Sequence, residues 1–161
     1  MKKILVIASL LAVLLTACSD GIPEKIKDKA ASTTEITQVK PSYIVELYEN
    51  KESFIYYYGS SVCGACLFMK PINSEVVRRT GLPMYFVEID KTSKSQLKLL
   101  EPFLTQPAST PTYVIVLNGV VKDSFTPEIL VGEDTSFLTE HINLYTVHFI
   151  EVLKEKGLLT N

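Results

Sequence analysis

Residues Phe54 to Tyr58 read Phe-Ile-Tyr-Tyr-Tyr, an apolar and aromatic run rich in strand formers. Strand residues that do not alternate with polar ones belong in a sheet covered on both faces. The chain must therefore supply helices for both sides, and the spacing of apolar residues offers four. Tyr43 to Tyr48 places Ile44 and Leu47/Tyr48 on one face. Cys66 to Arg79 carries Phe68, Ile72, Val76 and Arg79 on one stripe, and Gly81 and Pro83 punctuate it. Ser93 to Leu104 repeats Leu97, Leu100 and Leu104. Leu138, Ile142, Tyr145, Phe149 and Val152 predict a long C-terminal helix, N-capped near Asp134 or Thr135. Further strands are expected over Met84 to Ile89, Tyr113 to Leu117 and Val120 to Phe125. The last two flank Asn118-Gly119, a tight-hairpin signal.

The expected order is α-β-α-β-α-β-β-α. Strand-helix-strand units make right-handed crossovers and parallel pairs, and the hairpin adds antiparallel pairing. The fold class is α/β: a mixed sheet of about four strands with helices on both faces. The 161 residues suit one domain, and 47% apolar with 21% charged residues excludes collagen-like, coiled-coil and wholly disordered classes. A net charge of −2 has the wrong sign for a nucleic-acid footprint, so no nucleic-acid partner is expected.

The N-terminal residues have a different character. Met1, Lys2 and Lys3 precede an apolar stretch from Ile4 to Leu15 whose only polar residue is Ser9. That stretch is shorter than the roughly 20 residues a membrane span needs, and it fits the core of a secretory signal. Leu15-Thr16-Ala17-Cys18 follows and resembles a bacterial lipobox. The resemblance implies cleavage after residue 17 and a Cys18 diacylated through its sulfur. Loss of residues 1–17 removes two lysines and leaves the mature chain more acidic. Residues 18–41 are polar and bounded by Pro41, and they read as a lipidated N-terminus and solvated tether. Residues 42–161 form the folded domain.

Cys63-Gly64-Ala65-Cys66 lies where the first strand gives way to a helix. Cysteines three apart at a helix start bring their sulfurs onto one turn. The unpaired N–H groups and the helix dipole there stabilise a thiolate on the first cysteine. A thiolate able to attack a disulfide, beside a thiol able to resolve the mixed disulfide, forms a two-electron relay. Zinc, a structural disulfide and unreactive thiols are the competing readings. Zinc needs two further ligands, and His141 and His148 stand seven apart on one helix, too far apart to chelate together. A disulfide closing so short a loop adds little stability. Export favours the redox pair, because disulfide chemistry belongs outside the cytoplasm.

Over residues 43–156 the chain resembles the thioredoxin superfamily. Strand 54–58 leads into Cys63-x-x-Cys66, and Pro71 stands eight residues after the first cysteine, where that family kinks its active-site helix. Thr110-Pro111 opens a strand in the manner of the family's cis-proline loop. Asn118-Gly119 makes the hairpin, and Val131-Gly132 precedes the last helix. The resemblance implies that Pro111 is cis and packs against the sulfurs. It also implies that the Thr110 backbone pairs with an extended substrate segment. The departures concern proton handling. The family's reductants carry a buried acid where Tyr57 stands, and tryptophans where Gly59 and Val62 stand. Glu88, on the neighbouring strand, is a candidate substitute for the acid. Tyr56 to Ser61 is similar to thioredoxin-like accessory proteins of Gram-positive bacteriocin export systems, which assist disulfide formation in exported peptides.

The expected protein is a monomeric, membrane-anchored, extracytoplasmic thiol–disulfide oxidoreductase. It faces outward in a one-membrane bacterium and the periplasm in a two-membrane one. Cys63 and Cys66 are its catalytic, redox-active pair, Thr110 and Pro111 line its substrate groove, and Cys18 attaches the lipid. It needs no cofactor and no metal. Its partners are thiols and disulfides of exported proteins or peptides, with a membrane electron donor or the export machinery. The alternative is a non-enzymatic, chaperone-like accessory lipoprotein on the same scaffold. Oxidase, reductase and isomerase directions are all compatible with the sequence.

Overall fold

The computed structural model describes residues 35–104, 109–128 and 138–159. Cys18, the signal segment, the Val131-Gly132 pair and the expected caps Asp134 and Thr135 lie outside those residues.

The described elements are β1 (Thr37–Gln38), α1 (Pro41–Glu49), β2 (Phe54–Gly59), α2 (Gly64–Thr80), β3 (Met84–Glu88), α3 (Lys94–Leu97), β4 (Thr112–Leu117), β5 (Val120–Phe125) and α4 (Leu138–Glu155). The strands form one sheet in the order β1-β3-β2-β4-β5. β1 and β2 run parallel to β3, β4 runs antiparallel to β2, and β5 antiparallel to β4. The expected mixed sheet with helices on both faces is present.

β2 shows why the aromatic run had to be central. All six of its residues are buried. Ile55 and Tyr57 face one core with Met69, Ile72 and Val76 of α2 and Phe149 and Leu153 of α4. Phe54, Tyr56 and Tyr58 face the other, with Ile44, Leu47 and Tyr48 of α1 and Leu100. Alternation of direction along the strand thus serves two cores from one unbroken run. β4, buried from Thr112 to Val116, does the same beside it.

Three expectations are corrected in detail. The sheet has a fifth strand, because Thr37 and Gln38, placed in the tether, pair with Tyr85 and Phe86. Both residues are exposed. The apolar residues that pack against the cores, Ile36 and Val39, stand on either side of the pair and do not alternate within it. The strand over 84–89 ends at Glu88, and Ile89–Lys91 turns as 3₁₀. The helix over 93–104 is α-helical only through Leu97 and continues as a 3₁₀ helix over Lys98–Phe103. Pro102 lacks an N–H and crowds the preceding turn, so an α-helix cannot run through it at low cost. Pro71, by contrast, sits inside α2 without ending it.

The hairpin turn has Asn118 at φ 52° and Gly119 at φ 71°, the left-handed pair of a tight primed turn. The Gly119 N–H also donates to Glu52 O at 2.9 Å. A Cβ on Gly119 would lie 2.8 Å from the Tyr48 carbonyl oxygen at the end of α1. Gly119→Ala should therefore destabilise the fold by about 1–3 kcal/mol, through left-handed strain and this clash. A shifted urea midpoint at unchanged slope would register it, and an unchanged midpoint would contradict it.

Candidate active site

The turn between β2 and α2 is held from several directions by groups other than the cysteine sulfurs. Ser60 Oγ accepts from Val62 N at 3.1 Å and donates to Asp90 Oδ2. Ser60 O accepts from Cys63 N at 3.2 Å. Ser61 N donates to Glu88 Oε1 at 3.1 Å. These contacts set the position from which α2 starts.

Cys63 is the N-cap of that helix, with extended backbone at φ −79°, ψ 122°. Its Sγ accepts from Cys66 N at 3.4 Å and from Thr110 Oγ1 at 3.5 Å. When protonated, the same thiol can donate to Thr110 O at 3.7 Å. An N-cap usually carries an oxygen that satisfies an orphan helix N–H. Here a sulfur does so, and a thiolate does it better than a thiol. Partial burial opposes ionisation of Cys63. Hydrogen bonds from the Cys66 thiol, from Thr110 and from the backbone N–H groups of Cys66 and Ala65 outweigh it and hold Cys63 below the ordinary thiol value.

Cys66 has the opposite surroundings. It is 9% exposed, one turn further into the helix. Burial first, and then the Cys63 sulfur in front of it, push its thiol up to about 11 against a lowering contact from Ser60 N–H. Both cysteines are free thiols. The pair thus divides into a half-exposed sulfur poised to ionise and a buried one held protonated.

Gly59 makes room for the buried sulfur, since a Cβ there would sit 2.8 Å from Cys66 Sγ. Below lies an uncharged packing layer. Tyr57 stacks between Phe86 at 4.9 Å and Tyr113 at 5.1 Å. Burial raises the Tyr57 phenol to about 12, and Tyr113 donates to Asn73 Oδ1 at 2.8 Å. Tyr57 therefore fills the family's acid position with a neutral ring. Glu88 is buried at 3% exposure, directly across the strand ladder from Gly59. Its described hydrogen bond goes to the Ser61 amide, so it anchors the turn ahead of Cys63.

Thr110 and Pro111 approach from the other side, at the entry to β4. The Thr110–Pro111 peptide is cis, as the resemblance implies. Thr112 Oγ1 donates to Ser109 O at 2.7 Å and accepts from Ser109 N at 3.3 Å. Ser109 and Thr112 hydroxyls both reach Thr126 Oγ1, at 2.7 and 3.1 Å. This cluster holds the loop so that Thr110 meets the sulfur. The structure brings Cys63, Cys66 and Thr110 together, with Pro111 buried behind them. The Ser60–Asp90 contact, the Ser109–Thr112–Thr126 cluster and the role of Gly59 were missed in the sequence. Only the small residue before Ser60 gave a sign of the last. Val62 is 82% and Leu67 55% exposed, so apolar surface flanks the reactive sulfur. Among the described residues, no group of three His, Cys, Asp or Glu side chains is placed to hold a metal ion.

No protein-family model matches the chain. No curated protein matches it significantly. Solved structures similar to it include thioredoxins. One is thioredoxin F from spinach chloroplast, at 19% identity and TM-score 0.49, covering 74% of this chain and 93% of that one. Thioredoxin O2 from Arabidopsis thaliana, in its oxidised state, has 17% identity and TM-score 0.48, covering 76% and 94%. Plasmodium falciparum thioredoxin has 22% identity and TM-score 0.45, covering 68% and 99%.

The contact beneath Cys66 has a measurable consequence. Gly59→Ala should push the buried sulfur out of place. It should lower the stability of the reduced protein by about 1–3 kcal/mol, the usual range for overpacking a core site. Closure of the Cys63–Cys66 disulfide should slow as well. Chemical denaturation and quenched-flow thiol counting check the two effects, and wild-type values in both would contradict the packing described.

Proposed function

We propose that the chain is a thiol–disulfide oxidoreductase, tethered to a membrane and working outside the cytoplasm. The observation that carries the reading is the unequal placement of the two thiols. Cys63 caps α2 at the surface with its pKa lowered, and Cys66 lies buried behind it with its pKa pushed up to about 11. Two cysteines kept only for stability need no such division.

The chemistry follows from that placement. The Cys63 thiolate attacks one sulfur of a client disulfide. The client S–S bond breaks, a new S–S bond forms to Cys63, and the departing client sulfur leaves as a thiolate with the electron pair. Cys66 then loses its proton and attacks Cys63 Sγ. The client is released as a dithiol, and the protein becomes a disulfide after giving up two electrons. Starting from the oxidised protein, the same steps run backwards and oxidise client thiols. A lowered Cys63 pKa stabilises the dithiol form, and the reduction potential of the pair sets which direction prevails. Thr110 supports the thiolate through its hydroxyl. In this reading its backbone aligns an extended client segment, as the resemblance implies, and Pro111 shapes the same groove.

The lipobox-like Leu15-Thr16-Ala17-Cys18 supports a lipid anchor on Cys18. Two acyl chains are enough for stable attachment. Clients are then exported proteins or peptides met at the membrane, with the export machinery or a membrane electron donor as redox partner.

The test is a trap in cells. Cys66→Ala should accumulate mixed disulfides joined through Cys63, visible on non-reducing gels and absent from Cys63→Ala. Cys18→Ser should move the protein from the membrane to the soluble fraction. If Cys66→Ala traps nothing and the purified protein does not cycle between dithiol and disulfide, the enzymatic reading fails. A binding role on the same scaffold would then take its place.

A further inference from the structure

A cavity of about 370 Å³ lies beside the Cys63–Cys66 pair, with Thr110 among its lining residues. That volume falls in the range of specific ligand pockets. Its origin is the break in the helix that follows β3. Leu97, Leu100 and Leu104 are spaced for one face of an α-helix. From Lys98 the chain instead winds as 3₁₀, in which residues three apart eclipse. Leu100 and Phe103, three apart, turn to the same side: Leu100 is buried at 2% exposure, and Phe103 stacks on Tyr48 with ring centroids 3.8 Å apart. Leu97 and Leu104 are left half-buried, and with Ile89 and Tyr58 they line the open cavity.

Two features point to what this space takes. Thr110 lines the cavity and also contacts the reactive sulfur, through Oγ1 at 3.5 Å and O at 3.7 Å. An occupant is therefore continuous with the place where a client cysteine must sit. The second feature is charge. Among the described residues, exposed Lys94 and Lys98 line the cavity with one acid, Glu101, which leaves an excess of positive charge around apolar walls.

We propose that this cavity is a specificity pocket for client peptides. It receives a large apolar side chain one or two residues from the client's reacting cysteine, with an acidic client residue beside Lys94 and Lys98. The proposal rests on the redox reading of Cys63 and names the substrate class for that site. In an extended segment each residue advances about 3.3 Å, so a side chain two positions from the cysteine reaches well past Thr110. The anchor side chain would be an aromatic residue or leucine, which buries enough apolar area to matter.

The experiment uses the full-length Cys66→Ala protein and synthetic peptides, each with one cysteine carried as a disulfide with thionitrobenzoate. Cys63 attacks the peptide sulfur, the S–S bond breaks, and coloured thionitrobenzoate leaves with the electron pair while the peptide stays on Cys63. Peptides differ only in Phe against Ala at the second position from cysteine, and in Glu against Lys at the next. Their rates are read against a small aromatic disulfide as reference. The Phe peptide should react about tenfold faster than the Ala peptide. Leu97→Trp, which fills the cavity, should bring that ratio close to one. The Glu peptide should outpace the Lys peptide, and paired Lys94→Glu and Lys98→Glu should reverse that order. Both lysines are exposed, so this variant serves if Leu97→Trp does not fold. No reaction with any disulfide, the reference included, overturns the redox reading itself. Normal reaction with the reference but equal rates for Phe and Ala peptides overturns the pocket alone. Equal rates for Glu and Lys peptides overturn its charge preference.

Discussion

A sulfur capping its own helix is the contact on which the site depends. The first turn of any α-helix leaves N–H groups without partners. In α2 the Cys63 sulfur receives the Cys66 N–H at 3.4 Å. That hydrogen bond contributes to the stability of the helix start and also to that of a negative charge on sulfur. Structure and reactivity are thus the same interaction. The cysteine one turn further along must then be buried by the helix it begins, which keeps its proton in place. Spacing of three residues is what leaves one thiol half-exposed and readily ionised and the other buried and protonated.

The rest of the fold serves to hold that helix start still. β2 delivers the chain to the turn and is itself clamped between two parallel or antiparallel neighbours and two cores. β3 contributes Glu88 to the Ser61 amide, and just beyond it Asp90 meets Ser60. β4 begins where Thr110 touches the sulfur, and β5 ends beside Thr126, which steadies the same loop. The ends of β3, β4 and β5 therefore all deliver contacts to the rim of the site. The double-faced burial of β2 makes this geometry rigid enough to tune a thiol.

Much of this was legible in the sequence, and the reasons are specific. The run Phe54 to Tyr58 announced a strand with two buried faces, and Cys63 and Cys66 announced the helix start by their spacing. Asn118-Gly119 fixed the hairpin because only left-handed residues close so tight a turn. Thr37 and Gln38 are hard to read because both are exposed, and the two apolar residues beside them, Ile36 and Val39, are too few to set a period. The 3₁₀ segment from Lys98 escaped because the leucine spacing described a helix that Pro102 forbids. That same conflict between pattern and backbone leaves the cavity beside Thr110. Hydrogen bonds from Ser60, Ser109 and Thr112 escaped because short polar residues in loops carry no periodic signal. Glu88 was noticed for its charge, but only the register of β3 placed it opposite Gly59.

The most direct test of the account is residue-resolved alkylation of the reduced protein across pH. Brief exposure to iodoacetamide, followed by peptide mass spectrometry, reports the thiolate fraction of each cysteine separately. Only the thiolate reacts, so a lowered pKa brings reaction in at lower pH and a raised one delays it. Cys63 should label with a midpoint below the 9.0 of an ordinary thiol. Cys66 should stay unlabelled until the pH nears about 11. Both cysteines titrating together near the ordinary value, or Cys66 labelling first, would contradict the division of roles on which the proposed function stands.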